Sequence, residues 1–174
     1  MIHWGIIGAG EVANKNVAPA INAARNAVLH AVYNRSKEKA QVFANHHQAT
    51  FYWDSVNQML ADPILDAVYI ASPNSLHKEH VIAAAKSGKH ILCDKPLTTN
   101  VADGTEMLEQ CIASNVSLGV VFQNRYHPAH LLAREQLSAN YLGEIQTASA
   151  QLCVGRQRNH WQGWRLDPAI AGSG

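Results

Sequence analysis

The chain has 174 residues, of which 47% are hydrophobic and 16% charged, with a formal net charge of +1. That is apolar material for one good core and the start of a second. The charge is too small to draw the whole chain to nucleic acid or to an anionic membrane. Three separated cysteines, with no C-x-x-C pair, speak against a disulfide framework or zinc site and for a reducing, cytoplasmic setting. The opening MIHWGIIGAG lacks the basic lead-in of a signal peptide, and no apolar run reaches the roughly 18 residues of a membrane span.

In chain order, residues 3–7 read as a buried strand and 11–24 as a helix, with Pro19 breaking it and starting a second short turn. VLHAVY (28–33) is a second strand and 37–46 a second helix, with His46-His47 as a solvated helix end. Residues 50–53 form a short third strand, followed by a helical turn over 56–60. DAVYIA (66–71) is a strand bounded by Ser72-Pro73-Asn74. The helix over 77–87 is capped by Asn74 or Ser75 and ended by Gly88. HILCD (90–94), a helix over 101–114 and a strand over 117–122 complete the alternation. Strands hydrophobic throughout, alternating with helices, predict an α/β fold: a doubly wound parallel sheet of Rossmann type. Beyond residue 122 the rhythm changes to a helix over 127–139, a turn at Gly143-Glu144 and an alternating strand, IQTASAQLCV, over 145–154. The boundary places a dinucleotide-binding domain at 1–122 and the beginning of an α+β second domain at 123–174.

Gly8-Ala9-Gly10-Glu11-Val12-Ala13 is G-x-G-x-x-A at a strand-to-helix junction. Gly8 suits the tight turn, Gly10 lets the backbone approach a pyrophosphate, and Ala13 keeps helix and strand close. The helix start, with Glu11 and Val12, offers free N–H groups to phosphate. At the end of the second strand, where an acid would bind the ribose of NAD, stand Asn34, Arg35 and Ser36. A neutral Asn followed by Arg favours the 2′-phosphate of NADP over NAD; the plain alternative is an Asn turn with a solvated Arg. Cys93-Asp94-Lys95-Pro96 closes the fifth strand, at the sheet edge where such folds bind ligands. In a crevice there, a lysine's pKa can fall from about 10.4 toward 7–8 and let it exchange protons; on its own, the K-P pair reads as a solvated loop.

From Ala71 to Pro96 the sequence ASPNSLHKEHVIAAAKSGKHILCDKP, together with the G-x-G-x-x-A loop, resembles the glucose–fructose oxidoreductase/inositol dehydrogenase/rhizopine catabolism (Gfo/Idh/MocA) family. The closing WRLDPAIAGSG is similar to that family's W-R-x-D…A-G-G-G segment, with Ser173 in place of a glycine. The resemblance implies hydride transfer between a nicotinamide and an alcohol or carbonyl of a sugar, cyclitol or related polyol. It implies Gly8, Gly10 and Ala13 at the pyrophosphate, Arg35 at the adenosine end, and Ser72, Pro73, Asn74 and His77 bordering ribose and nicotinamide. Lys95 becomes the catalytic residue beside the reacting carbon, with Asp94 in place of the commoner Glu. Arg125 and Arg165, with Trp164, match positions of cofactor or substrate contacts. Members of the family are usually about twice this long, so the chain reads as an N-terminal half, lacking the family's later catalytic Asp and His. A nucleotide-binding or assembly module without catalysis is the alternative, and a ligand-free remnant a third reading. An uncovered second-domain strand predicts a homo-oligomer. Ten histidines invite a metal reading, but no H-E-x-x-H or matching Cys set occurs, so no metal is expected. Trp161 and Trp164 are either a sugar platform or packing anchors.

Overall fold

A computed structural model describes residues 1–151, 153, 155 and 166–171. Six strands form one sheet: β1 (Ile2–Ile7), β2 (Ala27–Tyr33), β3 (Phe51–Trp53), β4 (Ala67–Ile70), β5 (His90–Cys93) and β6 (Leu118–Val120). Their spatial order is β3-β2-β1-β4-β5-β6, and every neighbouring pair is parallel. This is the order of the dinucleotide-binding doubly wound sheet, and the chain changes direction between β1 and β4.

Side chains alternate between the two faces, as the two-residue period of a strand requires. Ile6, Val32 and Tyr69 point into one core with Ala13, Val17, Ile21 and Phe43 of the first two helical segments. Ile7, Ala31, Val68 and Ile70 point into the other, against Met59, Val81, Ala84, Met107 and Cys111. The helices supplying these faces are α1 (Ala18–Ala23), α2 (Lys37–His47), α3 (Val56–Leu60), α4 (His77–Lys86) and α5 (Val101–Ala113). Both sheet faces are therefore covered, which is why the central strands read as unbroken apolar runs.

Three expectations are corrected. Pro19 does not break the first helix. A π-turn, Ala13–Val17, precedes it, and the Ala18 N–H bonds the carbonyl of Ala13, widening the helix just where the proline ring would crowd the preceding turn. Neither Asn74 nor Ser75 is the N-cap of α4: a 3-10 turn, Asn74–Leu76, leads in and Leu76 takes the cap without a side-chain bond. The alternating segment 145–151 forms no strand. Its period suits one, but a strand needs a ladder partner, and no described residue pairs with it; residues 152 and 154 are outside the described set. Helix α6 (Pro128–Ser138) follows the sheet, with no buried residue in it, and a short α7 (Pro168–Ala171) packs beside the Asn74–Leu76 turn.

Candidate functional site

Because all six strands run the same way and are in register, their last residues form one row: Trp53, Tyr33, Ile7, Ile70, Cys93 and Val120. The ladder continues one residue further. Asn34 N–H bonds Trp53 O (3.1 Å), Gly8 N–H bonds Tyr33 O (3.0 Å), and Ala71 N–H bonds Ile7 O (2.9 Å). Asp94 N–H bonds Ile70 O and Val121 N–H bonds Cys93 O, each at 2.9 Å. The residues singled out in four separated stretches of sequence thus emerge side by side along the carboxyl edge, on both sides of the switch point.

Gly8 sits at φ +108°, and a Cβ there would stand 2.9 Å from the Ala71 carbonyl carbon and oxygen and from Ser72 N. Conformation and packing both demand glycine at this point. Gly10 differs: a Cβ there would meet nothing within 4 Å. Its backbone faces an open groove of about 650 Å³ lined by Ala9, Gly10, Glu11, Asn14, Glu38, Lys39, Val42, Phe43 and His46. An exposed glycine at a helix start beside open space fits the pyrophosphate of a dinucleotide. Ala13 is fully buried, holding the helix against the sheet, while Val12 is exposed. Glu11 would oppose an anion here, but Lys15, one turn on, pairs with it at 2.7 Å.

At the end of β2 the Asn34 Oδ1 accepts from Ser36 N–H (3.0 Å), closing a tight turn. Ser36 Oγ accepts from Lys39 N–H, capping α2, and donates to Glu38 (2.8 Å). Arg35 is exposed, as are Lys37 and Lys39. No carboxylate ends β2, and Arg35, Lys37 and Lys39 follow in sequence with Glu38 among them. Lys39 is a residue the sequence reading missed. Its signal is the helical stripe Lys39, Val42, Phe43 and His46, spaced i, i+3, i+4, i+7, all of which line the groove. The pair His46-His47 is also corrected: His47 is buried, its Nε2 lies 2.7 Å from Asn14 Oδ1, and Asn22 donates to its carbonyl (2.8 Å). Burial, with His46 beside it, lowers its pKa below the usual histidine value.

On the other side of the switch point, Ser72 is buried, and Pro73 and Asn74 are half-buried. His77 is 1% exposed; Nδ1 lies 2.8 Å from Pro96 O and Nε2 3.0 Å from Ser72 O. Its ring faces main-chain carbonyls rather than the open edge. His80 Nδ1 is 2.9 Å from Ser72 Oγ, and burial pushes its pKa down. Asp94 is half-buried, its Oδ1 accepting from Lys95 N–H (2.8 Å), and Lys95 stands exposed before a cis Pro96. Cys93 is buried and its thiol is pushed up to about 12 by burial and by Asp94, so it is no nucleophile. Arg125 lies in the 3-10 turn Gln123–Tyr126 after β6, exposed, its guanidinium 5.4 Å from the centre of the Phe122 ring. Trp161, Trp164, Arg165 and Ser173 lie outside the described residues.

Residues 2–122 match the Gfo/Idh/MocA oxidoreductase family, described as having an NAD-binding Rossmann fold. The chain is 34% identical over 174 residues to a 1,5-anhydro-D-fructose reductase of Ensifer adhaerens, covering 100% of this chain and 52% of the relative. It is 34% identical over 169 residues to D-xylose 1-dehydrogenase (NADP(+)) 2 of Haloferax volcanii, covering 97% of this chain and 51% of that protein. Among solved structures, the 3-ketoreductase KijD10 of Actinomadura kijaniata, crystallised with NADP and TDP-benzene, superposes with a TM-score of 0.87 at 25% identity. That superposition covers 98% of this chain and 52% of KijD10. The chain thus spans about half the length of these relatives.

Proposed function

This chain belongs to the Gfo/Idh/MocA oxidoreductase family, and from that premise we propose that it is the dinucleotide-binding half of an NADP-preferring oxidoreductase acting on a sugar, cyclitol or related polyol. The observation that carries this reading is the single row at the carboxyl edge. Strand register brings out side by side there the stretches that begin at Gly8, Asn34, Ala71 and Asp94 and carry on to Gly10, Arg35, Ser72 and Lys95. Residues 1–122 form the cofactor domain in this reading, and residues 123–174 begin a second, substrate-facing one.

The nicotinamide, when bound, supplies the site that gives or takes a hydride. The chain's own residues do the rest. Gly10 and the helix start hold the pyrophosphate, with Glu11 kept neutral in effect by Lys15. Arg35, Ser36 and Lys39 read the 2′-phosphate. Ser72, Pro73 and Asn74 form the wall on the β4 side. Lys95 donates a hydrogen bond to the substrate oxygen and passes or receives the proton that accompanies hydride transfer, with Asp94 fixing the turn through the Lys95 N–H. Arg125, exposed after β6, serves the substrate side, and the family resemblance assigns Trp164 to substrate and Arg165 to the cofactor. The protein works in the cytoplasm, and the exposed Leu132, Leu137, Tyr141 and Leu142 support self-association.

A second reading is favoured by the exposure of Lys95: a nucleotide-binding or assembly module that holds the cofactor without turning it over. The two separate on one experiment. The purified chain is incubated with NADPH and a panel of aldoses, ketoses and oxidised inositols while the reduced-nicotinamide absorbance is followed. Turnover that disappears in Lys95→Ala supports the oxidoreductase; cofactor binding without turnover supports the module; turnover unchanged in Lys95→Ala refutes the role given to that lysine.

A further inference from the structure

We propose that His77 is a positioning residue that fastens the turn bearing Lys95 to the Ser72 wall, so that the ends of β4 and β5 act as one rigid surface. In its functional consequence this rests on the dinucleotide reading above; the fastening itself is a property of the chain alone.

Three observations carry it. First, His77 is the first residue of α4, buried to 1% exposure, and each of its ring nitrogens meets a different loop: Nε2 the carbonyl of Ser72 and Nδ1 that of Pro96. A carbonyl oxygen only accepts, so the ring nitrogen that carries the hydrogen donates to its carbonyl and the other is held close beside the second loop. Second, both carbonyls belong to residues just past the ends of their strands, where the sheet ladder no longer holds the backbone. Beside its flanking strands and the packing of Leu97 on the core, the Lys95–Pro96 turn is tied to the β4 side by this ring. Third, Ser72 is itself gripped from two further directions. Its hydroxyl faces His80 Nδ1 at 2.9 Å, and its backbone lies so near Gly8 that no side chain fits between them. A line of direct contacts thus runs from His80 through Ser72 and His77 to Pro96, the neighbour of Lys95. Helix α4 is braced from behind, where Lys78 pairs with Asp103 (2.7 Å) and Glu106 (2.6 Å) of α5. The histidine therefore holds the loops from a fixed base. This gives S-P-N-x-x-H a different logic from a row of ligand contacts: the final histidine serves the lysine turn, nineteen residues further on.

The test compares the wild-type chain with His77→Ala and His77→Gln in two measurements. Fluorescence titration with NADPH is set beside titration with 2′,5′-ADP, which carries the adenosine 2′-phosphate end but no nicotinamide. Amide hydrogen exchange is followed at Asp94, Lys95 and Leu97. In His77→Ala we expect NADPH to bind about tenfold more weakly, the effect of roughly one net hydrogen bond, with 2′,5′-ADP within about twofold of wild type. Exchange at Lys95 and Leu97 should quicken while that at Ile6 and Ile7 does not. His77→Gln, which keeps an N–H donor, should recover most of both effects, and it decides the matter if the alanine variant fails to fold. Equal losses for the two ligands, or exchange at 94–97 unchanged in both variants, would overturn the proposal. A wild-type chain binding neither ligand would refute the dinucleotide reading instead, and the exchange comparison alone would then decide whether His77 fastens the turn.

Discussion

The two glycines of the loop make opposite demands, and replacing each by alanine separates fold from ligand. Gly8→Ala puts a side chain at φ +108°, outside the range L-residues ordinarily adopt, at a cost of about 1–2 kcal/mol. Its Cβ also lands 2.9 Å from three backbone atoms of Ala71 and Ser72. Backbone cannot swing aside as a flexible side chain can, so overpacking adds about 1–3 kcal/mol. The sum, about 2–5 kcal/mol, is a large part of a stability of about 5–15 kcal/mol. With a urea m-value of about 2 kcal/mol/M, the unfolding midpoint should fall by about 1–2.5 M. Gly10→Ala meets nothing within 4 Å and its φ is not positive, so the midpoint should hold or rise slightly, by up to about 1 kcal/mol of stability. Yet its methyl group intrudes where the pyrophosphate belongs, and NADPH should bind at least about tenfold more weakly. Urea unfolding and NADPH titration on the same two samples are the assay. A Gly8→Ala chain as stable as wild type, or a Gly10→Ala chain that binds NADPH normally, would refute the reasoning at that residue.

Stability should fall in two stages on acidification. His80 is kept neutral by burial, so the unfolded chain takes up a proton that the native one resists, and the decline begins below about pH 6.5. Asp62 is held below the usual carboxylate range although burial opposes it, because His30, the Ile64 N–H and Lys89 outweigh that; Asp66 is lowered chiefly by the His3 N–H. Their contribution is complete above about pH 5 and is lost as pH falls through and below about 3.9. Urea midpoints from pH 7 to 3 should show this, and Asp62→Asn should flatten the lower stage. Lys89 is 8% exposed, with Nζ donating to Asp62 O (2.7 Å) and Leu65 O (2.9 Å), so Lys89→Met should cost about 2–3 kcal/mol by the same melts. With a thiol reagent, exposed Cys153 should react at once, while Cys93 and Cys111, buried and with raised pKa values, should react only on unfolding.

Legibility in the sequence followed the range of the forces involved. Strands such as VLHAVY and DAVYIA read correctly because burial on both faces leaves a continuous apolar run. The glycine loop was legible because the positive φ at Gly8 is a local demand that glycine meets, although the close packing on Ala71 and Ser72 comes only with the fold. Segment 145–151 was misread because its alternation reports a capacity for pairing, not a partner. Pro19 was misread because a π-turn is an adjustment of the preceding backbone, which residue identity does not announce. His77 stood in the right motif, but its two carbonyl partners lie five residues before it and nineteen beyond it, and only the fold brings them to one ring. Lys39 was missed because a helical stripe shows which residues share a face, not that two helices leave a groove there, and buried His47 because its partner Asn14 lies 33 residues away.

The most direct test of the central claim is an equilibrium fluorescence titration of the 174-residue chain with NADPH and, in parallel, NADH. Saturable binding with NADPH the tighter ligand is the predicted result. Saturation with NADH as the tighter ligand would contradict the reading of Asn34, Arg35 and Lys39, and no saturation with either would contradict the site itself.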